Sequence, residues 1–225
     1  MSEGKKTTVI TIDGPAGAGK STVAKALARK LNFSYLDTGA MYRALTLKAL
    51  RSNVNLEDEE QLVQLARQTS IELSGHRQES ARVFLDGEDV TEEIRSLKVT
   101  NNTFYIARAP RVRKILVQWQ RRIGERQDIV VEGRDAGTVI FPQATRKFYL
   151  DADFEERVSR RMKELKEKDK DIDKARLKEE LRNRDAKDIS RTAGPLKKAS
   201  DAILIDSTHL TIDGVVEKML GYIHR

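Results

Sequence analysis

The sequence contains no cysteine. That excludes disulfides, thiol catalysis and every zinc site built on thiolates. Its three histidines, His76, His209 and His224, lie too far apart for a metal-ligand spacing and read as exposed loop or tail residues. No apolar run approaches the roughly 20 residues needed to cross a bilayer, so no membrane partner is expected. The opening "MSEGKKTTVI" runs straight into a strand-like segment rather than a signal peptide, and a cytoplasmic location is the expectation. Long blocks of one charge sign are missing too, because acids interrupt every basic stretch. A dedicated nucleic-acid tail is therefore not expected.

What is present fits one α/β domain, or a domain with a small insertion: 225 residues, 39% hydrophobic and 34% charged, with a net charge of +7. The positive balance favours anionic partners, whether phosphorylated metabolites, nucleic acid or an acidic surface.

Along the chain, "TTVITIDG" reads as a buried strand ending at a glycine. "KSTVAKALARKL" follows at once with Val23, Leu27 and Leu31 at helical spacing. "FSYLD", "DIVVEGRD", "RKFYLDA" and "DAILIDS" supply four more strands, and helical segments separate them. That alternation predicts a five-stranded parallel sheet flanked by helices. "IELS" and "ARVFLDGEDV", with a turn at Asp86-Gly87, read instead as short antiparallel strands. They predict a small inserted α+β subdomain over 71–107. Pro110 opens a helix whose apolar stripe includes Trp119, a core residue on this reading. A highly charged helical pair occupies 153–192, and 1–70, 108–152 and 193–225 make up the core.

The stretch from Gly14 to Ser21, "GPAGAGKS", matches G-x-x-x-x-G-K-[ST] without a mismatch. Glycines at 14, 17 and 19 let the backbone turn its N–H groups toward phosphate oxygens, and the following helix adds its positive end. On this reading Gly14, Pro15, Ala16, Gly17, Ala18, Gly19, Lys20, Ser21 and Thr22 bind ATP. Lys20 brings a mobile charge to the β- and γ-phosphates, and the Ser21 hydroxyl is the protein's ligand to Mg²⁺. A P-loop alone does not name a reaction. The chain has no Asn-Lys-x-Asp string of the kind guanine-binding switches carry. A small-molecule kinase needs a second anion site, and arginines do follow the strands: Arg43 after "LDTGAMY", and Arg134 with Asp135 after "VVEG". The crevice beyond the carboxyl ends of parallel strands is where open α/β sheets bind ligands.

Farther along, "NRDAKDISR" places Arg184, Asp188 and Arg191 at i, i+4 and i+7, on one side of a helix. Asp185 and Lys187 lie off that row and read as a solvated face with local ion pairs.

Together "IDGPAGAGKST", "LDTGAMYR", "DGEDVTEEIR", "PRVR", "EGRDAGTVIFP" and "RD…D..R" resemble the bacterial cytidylate kinases over essentially the whole chain, inserted subdomain included. The resemblance implies a P-loop kinase fold with a helical lid over 153–192, a monomer, and transfer of the ATP γ-phosphoryl group to CMP and dCMP. It implies that Thr38, Arg43 and Arg134 hold the acceptor phosphate, that Arg113 and Asp135 read the cytosine ring, and that Arg184 and Asp188 stand by the pentose while Arg191 reaches the phosphate. Lys20, Arg134, Arg184 and Arg191 are then the catalytic set. Arg160 and Arg161 correspond to lid-side basic residues. Asp37 fits either a place near the acceptor or metal, or a helix cap.

Cytosine offers an amino donor at N4 and acceptors at N3 and O2, which suit a carboxylate and a guanidinium respectively. Two positions depart from the family pattern. Phe104 stands where a serine usually touches the cytosine amino group, and its neighbour Thr103 points about 100° away on a helix. Ala136 replaces a methionine. A uridylate/cytidylate kinase with relaxed base choice and a nucleic-acid-binding ATPase are the alternative functions, although no nucleic-acid partner is expected.

Overall fold

The computed structural model describes residues 7–74, 82–167 and 173–224. His76 lies outside them, whereas His209 and His224 are exposed, as expected. The chain opens with β1 (Val9–Asp13), α1 (Lys20–Leu31), β2 (Ser34–Asp37), α2 (Thr38–Arg51) and α3 (Glu59–Arg67). It continues through β3 (Ile71–Ser74), β4 (Arg82–Leu85), β5 (Glu88–Asp89), α4 (Leu97–Arg108) and α5 (Pro110–Gly124). The remainder is β6 (Ile129–Gly133), β7 (Arg146–Asp151), α6 (Phe154–Lys166), α7 (Lys174–Ser190), β8 (Ile203–Asp206) and α8 (Ile212–Ile223).

Five strands form the predicted parallel sheet in the order β2-β6-β1-β7-β8. β6 shows why continuous apolar runs were needed. Ile129 and Val131 face a core built with α2, α3, α4 and α5 residues such as Leu45, Leu62, Ile106 and Leu116. Val130 points the other way, into a core with Ile10, Ile12, Leu27, Phe148 and Met219. Period-two alternation thus feeds two helical layers, one on each face. Trp119 packs partly buried against the first of these cores.

A separate antiparallel sheet, β3-β4-β5, buries Val83 and Leu85 against Ala40, Ala44 and Leu47 of α2. The turn at Asp86 and Gly87 has φ 50° and 86°, the left-handed pair that a two-residue hairpin of this twist requires.

Every main-sheet strand runs parallel, so their carboxyl ends share one edge. Asp13, Asp37, Gly133 and Asp151 end β1, β2, β6 and β7. The central position of β1, with β6 on one side and β7 on the other, opens a crevice at that edge.

Candidate active site

The loop between β1 and α1 holds positive φ at Gly14 (152°), Gly17 (78°) and Gly19 (84°). At Gly14 any Cβ would run into the Leu150 carbonyl of β7, so the loop can pass this close to the sheet only as glycine. Lys20 begins α1 and is buried; its Nζ donates to the Pro15 carbonyl at 2.6 Å, folding the side chain back over the loop. Burial holds its pKa at about 7, aided by the nearby charge of Arg134 and opposed by Glu132. Ser21 and Thr22 are exposed.

Two acids that the sequence reading passed over complete this side. Glu132, buried near the end of β6, accepts from the Tyr35 hydroxyl. Burial raises its pKa, and the charge of Asp37 adds to the rise. Asp13 accepts from the Ala136 and Gly137 N–H groups at 2.8 and 2.7 Å. It thereby fixes the single π-type turn over Ala136–Ile140 that follows Arg134 and Asp135. Burial, the largest influence on Asp13, lifts its pKa to about 6. A carboxylate inside an apolar run ("ITID", "VVEG") was the available signal for both.

The opposite wall is made of arginines from α2, α5, the turn after β6, and α7 with its C-cap. Arg43 of α2 pairs with Asp37 at 2.6 Å, while its Nε has no hydrogen-bond partner among the described residues. Asp37 also accepts from the Ala40 N–H and so caps α2, which makes it cap and ion-pair partner together. Thr38 is buried with its hydroxyl donating to the Glu132 carbonyl. Arg113 of α5 and Asp135 form a buried ion pair. Gly194, at φ 59°, lies against both, and a Cβ there would collide with the Arg113 guanidinium and the Asp135 carboxylate.

The α7 row is also in place. Arg134 Nε donates to Asp188 Oδ2 at 2.8 Å, and Arg191 Nη2 stands 3.8 Å from Asp188 Oδ1. Arg134 and Arg191 hold the Asp188 carboxyl below its usual range despite burial. Arg191 is buried, with Nε and Nη2 making no hydrogen bond. Arg184 is exposed and makes no hydrogen bond or ion pair among the described residues. The protein crowded around it, and then the charge of Arg134, lower its pKa to about 10.

The local-pair reading of Asp185 and Lys187 needs correction, although Lys187 is exposed as that reading had it. Asp185 accepts from the Ala16 N–H and pairs with Arg157, and Lys187 Nζ stands 5.2 Å from the Phe104 ring centroid. Both are tertiary contacts, which helical periodicity cannot show. Of the lid-side basic residues, Arg160 pairs with Glu156 and donates to the hydroxyl and carbonyl of Ser207. Arg161 pairs with Glu164. On α4, Phe104 is partly buried beside Arg108 and Lys187, and the Thr103 hydroxyl is spent on the Val99 carbonyl. Ala136 is fully buried.

Chemically, this is a phosphate-shaped loop facing a group of cations that have unpaired donors. Such donors, stripped of water and unmatched by protein acceptors, are costly unless an anion meets them. No helix of the described residues is long and apolar enough to cross a membrane.

Comparison with known proteins agrees with this chemistry. The solved structure of a shikimate kinase from Bacteroides thetaiotaomicron superimposes with a TM-score of 0.50 at 12% identity, covering 97% of this chain and 99% of that one. At that identity the likeness concerns the fold alone. The cytidylate kinase of Caldanaerobacter subterraneus subsp. tengcongensis is 51% identical over 219 residues, 97% of this chain and 96% of its own. That of Desulforamulus reducens is 50% identical over 216 residues, 96% of each chain. The profile of the family described as cytidylate kinase matches residues 10–225, a span that takes in the P-loop, the arginine wall and α7, and the chain belongs to the cytidylate kinase family.

Proposed function

We propose that this phosphotransferase moves the γ-phosphoryl group of ATP to CMP and dCMP, giving ADP with CDP or dCDP. The observation that carries the reading is the set of buried guanidinium donors on Arg43 and Arg191 that find no hydrogen-bond partner among the described residues, with exposed Arg184 beside them, across the crevice from a complete P-loop. One wall suits a triphosphate and the other a monophosphate. An acceptor phosphate oxygen attacks the γ-phosphorus, the bond to the β–γ bridging oxygen breaks, and ADP leaves with that electron pair. Little covalent work falls to the protein, which supplies in-line positioning and charge neutralisation.

In this reading Gly14 to Thr22 hold ATP, and Lys20 exchanges the Pro15 carbonyl for phosphate oxygens. Arg43, released from Asp37, joins Arg134 and Arg191 around the acceptor phosphate, with Thr38 beside it. Arg184 and Asp188 stand by the pentose hydroxyls. Arg113 and Asp135 exchange their mutual pairing for the cytosine edge, the guanidinium meeting O2 and N3 and the carboxylate meeting the N4 amino group. Uracil would set O4 against that carboxylate, leaving buried polar groups unmatched.

Among the described residues no cluster of three or more acids or histidines could hold a metal by itself. Mg²⁺ would therefore arrive with the nucleotide, and the Ser21 hydroxyl beside the Glu132 carboxylate is a donor set that suits an oxygen-seeking cation. When bound, it neutralises phosphate charge. The pair α6–α7 serves as a lid over 153–192, the segment 71–107 as an acceptor-side subdomain, and the enzyme as a monomer. Relaxed base choice is the second reading, favoured by Phe104, whose ring offers no acceptor for the cytosine amino group.

Phosphorus NMR of ATP with CMP tests the main reading. Signals of ADP and CDP should replace the γ-phosphate resonance without inorganic phosphate. Release of inorganic phosphate, unaffected by CMP and stimulated by long nucleic acid, would instead support an ATPase.

A further inference from the structure

α7 holds its place in two different ways along its length. Leu177 and Leu181, its buried residues, pack with Ala16, Val158 and Leu165. Beyond Leu181 the helix buries no apolar side chain, and Ile189 is 59% exposed. The half that carries Arg184, Asp188 and Arg191 is therefore fixed by polar contacts. One of these, Asp188 with Arg134, lies in the acceptor cleft itself and must loosen when substrate enters.

Another lies outside the cleft. The Ala16 N–H donates to Asp185 Oδ1 at 3.2 Å. Arg157 Nη1 donates to Asp185 Oδ2 at 2.5 Å and to the Ala16 carbonyl at 3.0 Å. Arg157 is further tied to the Ala152 carbonyl by its Nε at 3.3 Å. These bonds close a ring of three residues, one each from the P-loop, α6 and α7. Both peptide groups of Ala16 are thereby taken by the lid helices. The Asp185 side chain is 14% exposed, and Arg157 neutralises a carboxylate that would otherwise repel a nucleotide phosphate nearby.

We propose that Asp185 is a positioning residue for phosphoryl transfer, fastening the arginine half of α7 to the P-loop so that the two phosphates are held in register. This rests on the function proposed above. When acceptor draws Arg134 and Asp188 apart, the Asp185 ring remains and keeps Arg184 and Arg191 aimed at the group that Lys20 holds. Misplacement by about 1 Å is enough to cost on the order of a hundredfold in rate.

The test compares the unmodified enzyme with Asp185→Ala and Asp185→Asn. Asparagine keeps an acceptor for the Ala16 N–H but loses the charge opposite Arg157. Turnover, KM for each substrate, and CMP affinity with and without a non-hydrolysable ATP analogue are read, with thermal unfolding as control. For Asp185→Ala, kcat should fall about ten- to a hundredfold, with each KM changed less than about twofold. The strengthening of CMP binding by the analogue should vanish. Asp185→Asn should show the same split at smaller size; if the alanine variant unfolds below the assay temperature, the asparagine variant decides. Normal kcat and intact coupling in a folded variant would overturn the proposal, as would a loss confined to thermal stability. Absence of CMP turnover in the unmodified enzyme would instead sink the function reading, so the two failures are distinguishable.

Discussion

The P-loop is one unbroken stretch, Gly14 to Ser21, whose shape rests on backbone turns at positive φ and on contact with β7. The facing arginines come from α2, α5, the turn after β6 and α7, and Arg43, Arg113, Arg134 and Arg191 each stand opposite a carboxylate. The loop is thus shaped by its own backbone, although Asp185 occupies the Ala16 N–H and Lys20 is folded onto the Pro15 carbonyl. The arginine wall is a store of ion pairs, which an acceptor would displace under the proposed function. Arg184, with no hydrogen bond or ion pair among the described residues, is the exception. Under the proposed function, ATP would meet a loop already turned by its glycines, with Lys20 leaving the Pro15 carbonyl, whereas the acceptor would trade one set of charge contacts for another.

The largest effect should come from Lys20, where the two sides meet. Lys20→Ala should lower phosphoryl transfer about a thousandfold or more, with secondary structure by circular dichroism unchanged. Near-normal activity would break the comparison at its root.

Arg184→Ala separates the unpaired arginine from the paired ones. It should cost on the order of a hundredfold in kcat/KM for CMP while the thermal midpoint stays within a degree or two, because no ion pair is lost. Asp135→Ala should do the reverse at the level of stability. Removing one partner of a buried pair leaves Arg113 uncompensated, a loss of about 3–5 kcal/mol that chemical denaturation would register. Equal stability losses in the two variants would erase the distinction between free and stored charge.

Gly194→Ala is a smaller perturbation aimed at the Arg113–Asp135 pair alone. Its methyl group would displace both side chains and force an alanine to φ 59°. KM for CMP should rise about tenfold with KM for ATP unchanged, as substrate titrations would show.

The smallest effect concerns pH. In the folded protein burial lowers the pKa of Lys20 to about 7, against an ordinary lysine value of 10.5. Below about 7 it is charged both folded and unfolded, so the cost of burying that charge is fully present. Between about 7 and 10.5 the folded state holds fewer protons, so this cost fades as pH rises. Lys20→Met should therefore be more stable than the parent at pH 6, with the difference shrinking toward pH 10 in denaturant titrations.

The alternation of apolar runs and helical spacing carried the sheet, and the hairpin at Asp86-Gly87 followed from its turn chemistry. The P-loop was legible because its chemistry is contiguous. The arginine wall was legible only residue by residue: nothing in the order of the chain joins Arg113 to Asp135, which meet through packing of α5 against the turn after β6. Glu132 and Asp13 were missed because a lone acid in an apolar strand looks like a boundary. Asp185 was misread because periodicity reports a helix's own faces and not the loop lying against one of them. Phe104, a departure from the family pattern in sequence, proves to contact Lys187 of α7.

The most direct measurement is the initial rate of ADP formation with CMP, dCMP, UMP and AMP as acceptors under identical conditions. Expected are comparable rates with CMP and dCMP, and a kcat/KM for UMP lower by at least about a hundredfold, since a site built to hydrogen-bond one edge pattern leaves buried groups unpaired with the other. Equal turnover of UMP would contradict the exchange of the Arg113–Asp135 pair for the cytosine edge, and absence of turnover with CMP would contradict the function itself.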